Sequence, residues 1–286
     1  MKRFNRLIAA VAGVALFAGV TGFAAEQLTQ EQVDAIVDDI PKDWHHGGWD
    51  KMADLKNVQT RFAGNTAVGA RAQYYMASQL YGNRDPQKAI QEYQKLITNY
   101  PTSWLECQKA QFEIGQIQLY RLDKPAEAIQ SAQKAIQAYP DSLITPKAQL
   151  LIARAYRRSR DDARALSEYQ KLVAQYTQYN HEVTEAQIDL GNLFLEQAFA
   201  GAEPIGPTNS KLKEAVSAYK KAYATCDVED IELMKQAIDG IYRSLKAYDA
   251  TVDRANAFVL FQQYGSMGQD RLPGTKDDLA DPLKSF

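Results

Sequence analysis

A six-residue phrase, Ala-Gln followed by four mostly apolar or small residues, occurs four times in this sequence. The copies begin 38 residues apart and cover residues 72–77, 110–115, 148–153 and 186–191. Self-similarity at a fixed period of this size is typical of proteins built from stacked structural repeats. Because such a protein buries its core between neighbouring repeats, every copy of the phrase should occupy an equivalent place in the fold.

Two helices are predicted for each repeat. Helix A contains the phrase, because the apolar residues Ala72, Met76 and Leu80 recur at helical spacing. Helix B follows, with an apolar stripe at spacings of four and seven residues. That stripe begins at Ala89, Ala128, Ala165 and Ala215 in the four repeats. Pro101 and Pro140 should end the first two B helices, because proline cannot continue a helix.

The fourth repeat contains an insertion at 201–209, between its two predicted helices. A loop on a rigid scaffold is a common place for function, and insertions in surface loops are also well tolerated, so both interpretations stay open. A fifth, degenerate repeat is predicted around Gly240 and Ala255, as is typical of the end of a repeat array.

The order of side chains within the unit resembles the tetratricopeptide repeat (TPR), particularly in TPR proteins of the bacterial cell envelope. The resemblance covers residues 65–264 and rests on apolar–small pairs in helix A followed by Ala, an aromatic residue and Pro in helix B. The pairs are Met76-Ala77, Ile114-Gly115, Ile152-Ala153 and Leu190-Gly191. It implies an all-α, right-handed TPR-like solenoid of about five helix–turn–helix repeats.

One departure from the TPR pattern is a glutamine where a large apolar residue is common. It occurs at Gln73, Gln111, Gln149 and Gln187. A hydrogen-bond ladder between adjacent A helices is our hypothesis for its role.

Residues 1–24 are predicted to be a cleaved signal peptide. Lys2, Arg3 and Arg6 precede an apolar run from Leu7 to Val20, and small residues follow where a peptidase could cut. The run is short for a membrane span, although an uncleaved anchor helix is the alternative. We therefore expect a periplasmic or secreted protein with no stable membrane span after cleavage.

Residues 25–64 are predicted to be an N-terminal helical cap. A helix is expected from Leu28 to Ile40, ended by Pro41. The aromatic segment 43–50 contains His45 and His46; we expect it to pack over the first repeat rather than bind a metal, since further ligands are missing.

The tail, residues 265–286, is predicted to be irregular. Its carboxylates offer a candidate calcium site, because calcium takes six to eight oxygen ligands. These are Asp270, Asp277, Asp278 and Asp281. The favoured alternative is a solvated turn that docks on the last repeat.

The charge of the chain argues against one class of partner, and the positions of its cysteines bear on disulfide formation. Without residues 1–24 the chain carries 30 basic and 35 acidic residues in no large block, which argues against nucleic acid. Cys107 and Cys226 fall in non-adjacent repeats, so two buried thiols are expected rather than a disulfide, although an oxidising compartment leaves pairing open.

The TPR resemblance implies that helix A lines a concave face, with two columns of side chains facing a ligand. The first column is Tyr74, Phe112, Leu150 and Ile188, and the second is Ser78, Gln116, Arg154 and Asn192. TPR domains that bind a peptide carboxylate have Lys in the first column. Here that column is apolar, which favours an extended or helical peptide held by side-chain burial. The alternative is that the column is core between helices A and B.

Three arginines on the third A helix, Arg154, Arg157 and Arg158, either meet an acidic partner or form a solvated face. No catalytic motif, phosphate-binding loop or cofactor motif is present in the sequence. We therefore expect an exported, non-enzymatic TPR scaffold that binds another cell-envelope protein or peptide, without a cofactor. A hydrolase or accessory subunit acting on cell-wall material, and an architectural oligomer, are the alternatives.

Overall fold

The computed structural model describes residues 51–248, except residues 83, 202, 204, 207 and 208. This part of the chain contains ten α-helices and no strand, which confirms the all-α prediction. The helices are α1 (Lys51–Arg61), α2 (Thr66–Gly82), α3 (Pro86–Asn99), α4 (Trp104–Tyr120), α5 (Pro125–Ala138), α6 (Ile144–Arg158), α7 (Asp162–Gln175), α8 (Asn180–Ala200), α9 (Ser210–Thr225) and α10 (Ile231–Tyr248). The signal peptide, the 28–40 helix, the aromatic segment, the last B helix and the tail lie outside the described residues.

The helices follow the predicted alternation. Helices α2, α4, α6 and α8 are the A helices of four repeats, and each contains one copy of the six-residue phrase. Helices α3, α5, α7 and α9 are the B helices that follow them, and α10 is the A helix of the fifth repeat. The 201–209 insertion connects α8 to α9. Within the described residues, no helix is both long enough and apolar enough to cross a membrane.

The chain divides into two compact units, one ending at Thr145 and the other beginning at Pro146. The first unit contains α1 to α5, and the second contains α7 to α10 with nearly all of α6. Each unit is described by itself below.

Side-chain caps begin three of the B helices, and prolines follow the ends of two. The Asp85, Asp161 and Asn209 side chains each accept a hydrogen bond from the backbone N–H three residues later, so they cap α3, α7 and α9. Helices α3 and α5 end just before Tyr100-Pro101 and Tyr139-Pro140, as the prolines predict.

The turn from helix A to helix B has the same backbone form in the first three repeats. Its last residues include Arg84, Asp123 and Arg160, which have φ angles of 63°, 53° and 61°. This left-handed conformation disfavours residues with a Cβ. The three turns therefore share one left-handed residue, although its side chain is Arg, Asp and Arg in turn.

The insertion in the fourth repeat is joined to the start of α9 by its own side chains. The Glu203 carboxylate accepts hydrogen bonds from the Ser210 backbone N–H at 2.9 Å and from the Ser210 hydroxyl. These bonds lower the pKa of the Glu203 carboxyl. The insertion is thus closed at its base, at the N-terminus of a helix where a carboxylate is favoured.

The core of each unit lies between its A and B helices. In the first unit, Tyr93 and Leu96 of α3 pack with Ala77 of α2 and Ile114 of α4. In the second unit, the Tyr219 ring of α9 is fully buried between two glycines: a Cβ on Gly191 of α8 or on Gly240 of α10 would lie 2.6 Å or 2.2 Å from its Cε1 atom. The small residue of the A helix therefore allows close approach by helix B.

Both cysteines are buried thiols with backbone hydrogen bonds. The Cys107 thiol donates to the carbonyl of Tyr100, the residue that ends α3, at 3.2 Å. In the next repeat the Thr145 hydroxyl makes the equivalent bond to the Tyr139 carbonyl at 2.7 Å. The Cys226 thiol lies within reach of the Asp227 and Asp230 carbonyls.

Candidate functional site

The first predicted binding column lies mostly inside the two units. The exposed fractions of Phe112, Leu150 and Ile188 are 8%, 3% and 4%. Tyr74 is half-buried, and its ring lies 5.4 Å from the ring of Tyr93. Burial raises the pKa of the Tyr74 hydroxyl. This burial favours the alternative that the column is core, and a groove role for its residues stays a prediction.

The second column is partly exposed and supports the buried tyrosines of the B helices. In the first repeat the Ser78 and Tyr93 hydroxyls are 2.9 Å apart and form a hydrogen bond. In the fourth repeat the Tyr219 hydroxyl donates to Asn192 Oδ1 at 2.8 Å. Burial raises the pKa of Tyr219 to about 12, and the nearby Arg243 guanidinium opposes that shift. Gln116 is partly exposed, and it has no hydrogen-bond partner among the described residues.

The arginines of α6 face carboxylates of α8. Arg154 lies 2.7 Å from Asp189 and 3.1 Å from Glu185, and Arg157 lies 2.9 Å from Glu196. Since Arg154 already has two carboxylates beside it, the structure favours internal ion pairs over an acidic partner at this position. Its guanidinium instead links the A helices of two successive repeats.

A second polar cluster joins the start of α8 to the segment before α10. His181 Nδ1 lies 2.5 Å from an Asp230 carboxylate oxygen, and the Asn180 amide donates to Asp227 at 2.9 Å. The sequence analysis missed this cluster, because the four side chains have no counterparts in the other repeats. Their spacing in sequence of 47 to 49 residues gives no local signal.

The repeated glutamines connect helix A to helix B within one repeat. Gln73 donates to the Glu92 carboxylate, and Gln149 donates to the Glu168 carboxylate at 2.5 Å. In the second repeat the partner position is Ser131, and the amide of Gln111 donates to its backbone carbonyl at 3.3 Å. The hypothesis of a ladder between adjacent A helices is therefore wrong, because a helix B acceptor lies 19 or 20 residues after each of these three glutamines.

The fourth glutamine lacks this arrangement. Its helix B position is Ala218, which offers no acceptor in its side chain. Gln187 is 6% exposed, and its buried Oε1 atom has no hydrogen-bond partner in the part of the chain that the structure describes. Gln187 lacks a helix B partner because alanine stands where the first and third repeats have a glutamate.

Ion pairs at equivalent positions of the repeats connect neighbouring A helices inside each unit. Arg71 lies 3.0 Å from the nearly buried Glu106 in the first unit, and Lys147 lies 3.9 Å from Glu182 in the second. Each basic residue precedes an Ala-Gln phrase, and its partner lies 35 residues later. The 38-residue alignment contains this signal, but the sequence analysis did not use it.

The calcium candidates of the tail lie outside the described residues. Within residues 51–248, apart from the five gaps, no group of three or more His, Cys, Asp or Glu side chains is arranged to hold a metal ion.

Comparison with known proteins supports the repeat assignment. A family model described as "Tetratricopeptide repeat" matches residues 71–103, 109–142 and 147–178. The crystal structure of BtubC (BKLC) from P. vanneervenii is similar in fold, with a TM-score of 0.53 and 10% identity over 89% of this chain and 93% of that chain.

Two crystal structures of MamA also match. One has a TM-score of 0.39 and 16% identity over 60% of this chain and 93% of that chain. The other has a TM-score of 0.43 and 15% identity over 71% of this chain and 97% of that chain. No curated protein matches this chain at the level of sequence.

Proposed function

This chain is a TPR repeat protein, and from that premise we propose that it is an exported, non-enzymatic scaffold that binds a peptide segment of another cell-envelope protein. The cell-envelope assignment is supported by the signal-peptide pattern of residues 1–24. The scaffold role is supported by the repeats, because within each unit neighbouring A helices place equivalent side chains side by side.

One observation carries the binding proposal. Ser78 on α2 and Gln116 on α4 hold equivalent places on neighbouring A helices and are both partly exposed. The Gln116 amide has no hydrogen-bond partner among the described residues, so it can both donate to and accept from a peptide backbone. Within the first unit, an extended peptide that crosses α2 and α4 would meet Ser78 and then Gln116.

Export is tested on the full chain expressed in a bacterium. We expect the protein in the periplasmic or secreted fraction, with a mature N-terminus at Ala25 or Glu26 by mass spectrometry of intact protein. Recovery of unprocessed protein in the cytoplasm would contradict export without bearing on peptide binding.

Binding is tested by placing a photo-crosslinking amino acid at position 116 in cells. We expect a specific crosslink to an envelope protein from this position and none from position 133, an exposed glutamine on α5 that serves as the matched control. A crosslink to a second copy of this chain would instead identify an architectural oligomer. Equal crosslinking from both positions would contradict the A-helix surface as the binding site.

A further inference from the structure

The first unit contains a pocket of about 370 Å³ between α3, α4 and α5. Its floor is formed by Gln111, Ile114 and Gln118 of α4, and its sides include Gln94 and Ile97 of α3 and Ser131 of α5. This volume falls within the range of small-ligand sites. Since two B helices form its sides, the pocket is separate from the A-helix column of the proposed function.

Two residue differences between repeats account for the pocket. Position 118 corresponds to Leu80, Tyr156 and Phe194 in the other repeats, which have an aliphatic or aromatic side chain where the second repeat has an amide. Position 131 corresponds to Glu92 and Glu168, whose carboxylates bond the repeated glutamine. In the second repeat a polar amide and a short serine occupy these two places. The space that a glutamate fills in the first and third repeats is left open beside Ser131.

The buried polar groups at the pocket are only half satisfied. Gln118 is 9% exposed and Ser131 is 7% exposed, and the Ser131 hydroxyl donates to Gln118 Oε1 at 2.7 Å. Gln111 uses its N–H to reach the Ser131 carbonyl. Within the described residues, the amide nitrogen of Gln118 and the side-chain oxygen of Gln111 therefore have no hydrogen-bond partner. Neither atom is fully buried, so water can pair with both, and a ligand that replaces this water must supply the same two hydrogen bonds.

We propose that this pocket binds the carboxamide of an asparagine or glutamine side chain on a peptide. A carboxamide has one oxygen that accepts and one NH₂ that donates, which matches the donor of Gln118 and the acceptor of Gln111. Ile97 and Ile114 supply apolar contacts for the methylene groups of the same side chain.

The residues that line the pocket argue against charged ligands and against glycans. Lys134 and Glu127 are the charged residues among those lining the pocket, and their opposite signs favour a neutral ligand. The Glu127 carboxylate also lies 2.8 Å from Lys124. No aromatic side chain lines the pocket to stack on a sugar ring, which argues against a glycan.

The direct test is titration of the full chain with two tripeptides blocked at both ends, Gly-Gln-Gly and Gly-Leu-Gly, followed by NMR of glutamine side-chain amides. We expect millimolar binding of the glutamine peptide with shifts of the Gln111 and Gln118 amide signals. Binding of the leucine peptide should be roughly tenfold weaker, because both hydrogen bonds are lost. No binding of the glutamine peptide at millimolar concentration, or equal binding of both peptides, would overturn the proposal.

A pocket-filling variant gives an independent test. Gln118→Leu with Ser131→Glu installs the residues that the first repeat already accommodates at Leu80 and Glu92. We expect it to keep the helical circular dichroism of the wild type and to lose at least tenfold in affinity for the glutamine peptide. Gln133→Ala, on the exposed side of α5, is the matched control and should bind like the wild type.

If the double variant fails to fold, Gln118→Leu alone is measured and should also lose affinity, because it removes the donor. Unchanged affinity in a folded variant would refute the site. Tighter binding of an N-acetylglucosamine trisaccharide than of the glutamine peptide would refute the ligand class. Neither result depends on the A-helix surface, so each is distinguishable from failure of the proposed function.

Discussion

The second and fourth repeats differ in what fills the space between their helices. In the fourth repeat the Tyr219 ring occupies that space and is fully buried between Gly191 and Gly240. In the second repeat the residue equivalent to Tyr219 is Ala132, and the neighbouring position is Ser131. The second repeat has a polar pocket between α3, α4 and α5 that Ser131 lines and Ala132 does not, whereas the fourth repeat has a tightly packed ring between α8 and α10.

The difference shows that the same helix pair tolerates two kinds of interior. A buried ring gains area removed from water, but the Tyr219 ring leaves no room for a Cβ at Gly191 or Gly240. Short polar residues relax that steric demand, and they leave amide groups available to a ligand. Added side-chain volume should therefore destabilise the fourth repeat more than the second. Loss of a hydrogen bond should destabilise the second repeat less than a repeat with a fully buried interior.

The largest effect is expected for Gly240→Ala. The added Cβ would lie 2.2 Å from the Tyr219 ring, and the ring cannot move away because Gly191 confines its other side. Overpacking of this kind should cost about 2–3 kcal/mol of unfolding free energy, measured by urea denaturation. Gln236→Ala, an exposed site on the same helix, should be nearly neutral. A loss below about 1 kcal/mol would show that the fourth repeat is not rigidly packed.

A smaller contrast is expected between Glu168→Ala and Ser131→Ala. Removing the Glu168 carboxylate leaves the amide of the fully buried Gln149 without its acceptor and should cost about 1–3 kcal/mol. Removing the Ser131 hydroxyl should cost about 1 kcal/mol or less, because Gln118 borders an open pocket that water can enter. Equal losses in urea denaturation would contradict the distinction between the two interiors.

The hydroxyl of the buried ring gives a pH-dependent prediction. Tyr219→Phe loses the hydrogen bond to Asn192 and should be about 1 kcal/mol less stable than the wild type at pH 8. Burial raises the pKa of Tyr219 to about 12, so above pH 10 the hydroxyl ionises first in the unfolded chain. The stability of the wild type then falls as pH rises towards 12, whereas phenylalanine contributes no such loss.

The advantage of the wild type over Tyr219→Phe should therefore shrink above pH 10 and reverse before pH 12. Urea denaturation at several pH values measures it, and a constant difference across that range would contradict burial as the cause of the shift.

The smallest effect is expected at Cys107, in the polar repeat. In Cys107→Thr a hydroxyl replaces the thiol as the donor to the Tyr100 carbonyl, as Thr145 already donates to the Tyr139 carbonyl in the next repeat. Stability should therefore change by less than about 0.5 kcal/mol. Cys107→Val has similar shape but no donor and should cost about 1 kcal/mol. A larger loss for threonine than for valine would show that shape, and not the hydrogen bond, determines this position.

The helices and their ends could be predicted because the signals are local. Apolar spacing and the Tyr-Pro dipeptides act within one or two turns of chain, so α3 and α5 end where expected. The partners of long polar side chains could not be predicted in this way. Whether Gln149 reaches helix B or the next helix A depends on how the helices are rotated against each other, which the 38-residue period does not specify.

The candidate binding columns show the same limit. Spacing places Phe112 and Gln116 one turn apart on α4, but it does not say which of them faces the neighbouring helix. Burial resolves this, since Phe112 is covered and Gln116 is partly exposed. The pocket was not predicted from the sequence, because Gln118 and Ser131 are 13 residues apart and come together only where α4 and α5 pack.

The bonds between Glu203 and Ser210 tie the insertion to the start of α9, and the Asn209 side chain caps the same helix. The entropic cost of closing the insertion rises only slowly with length, by about 0.6 kcal/mol for each doubling. The fourth repeat is thus the place where this chain can be lengthened, or can carry a foreign peptide between residues 204 and 208, while the helices on either side keep their register.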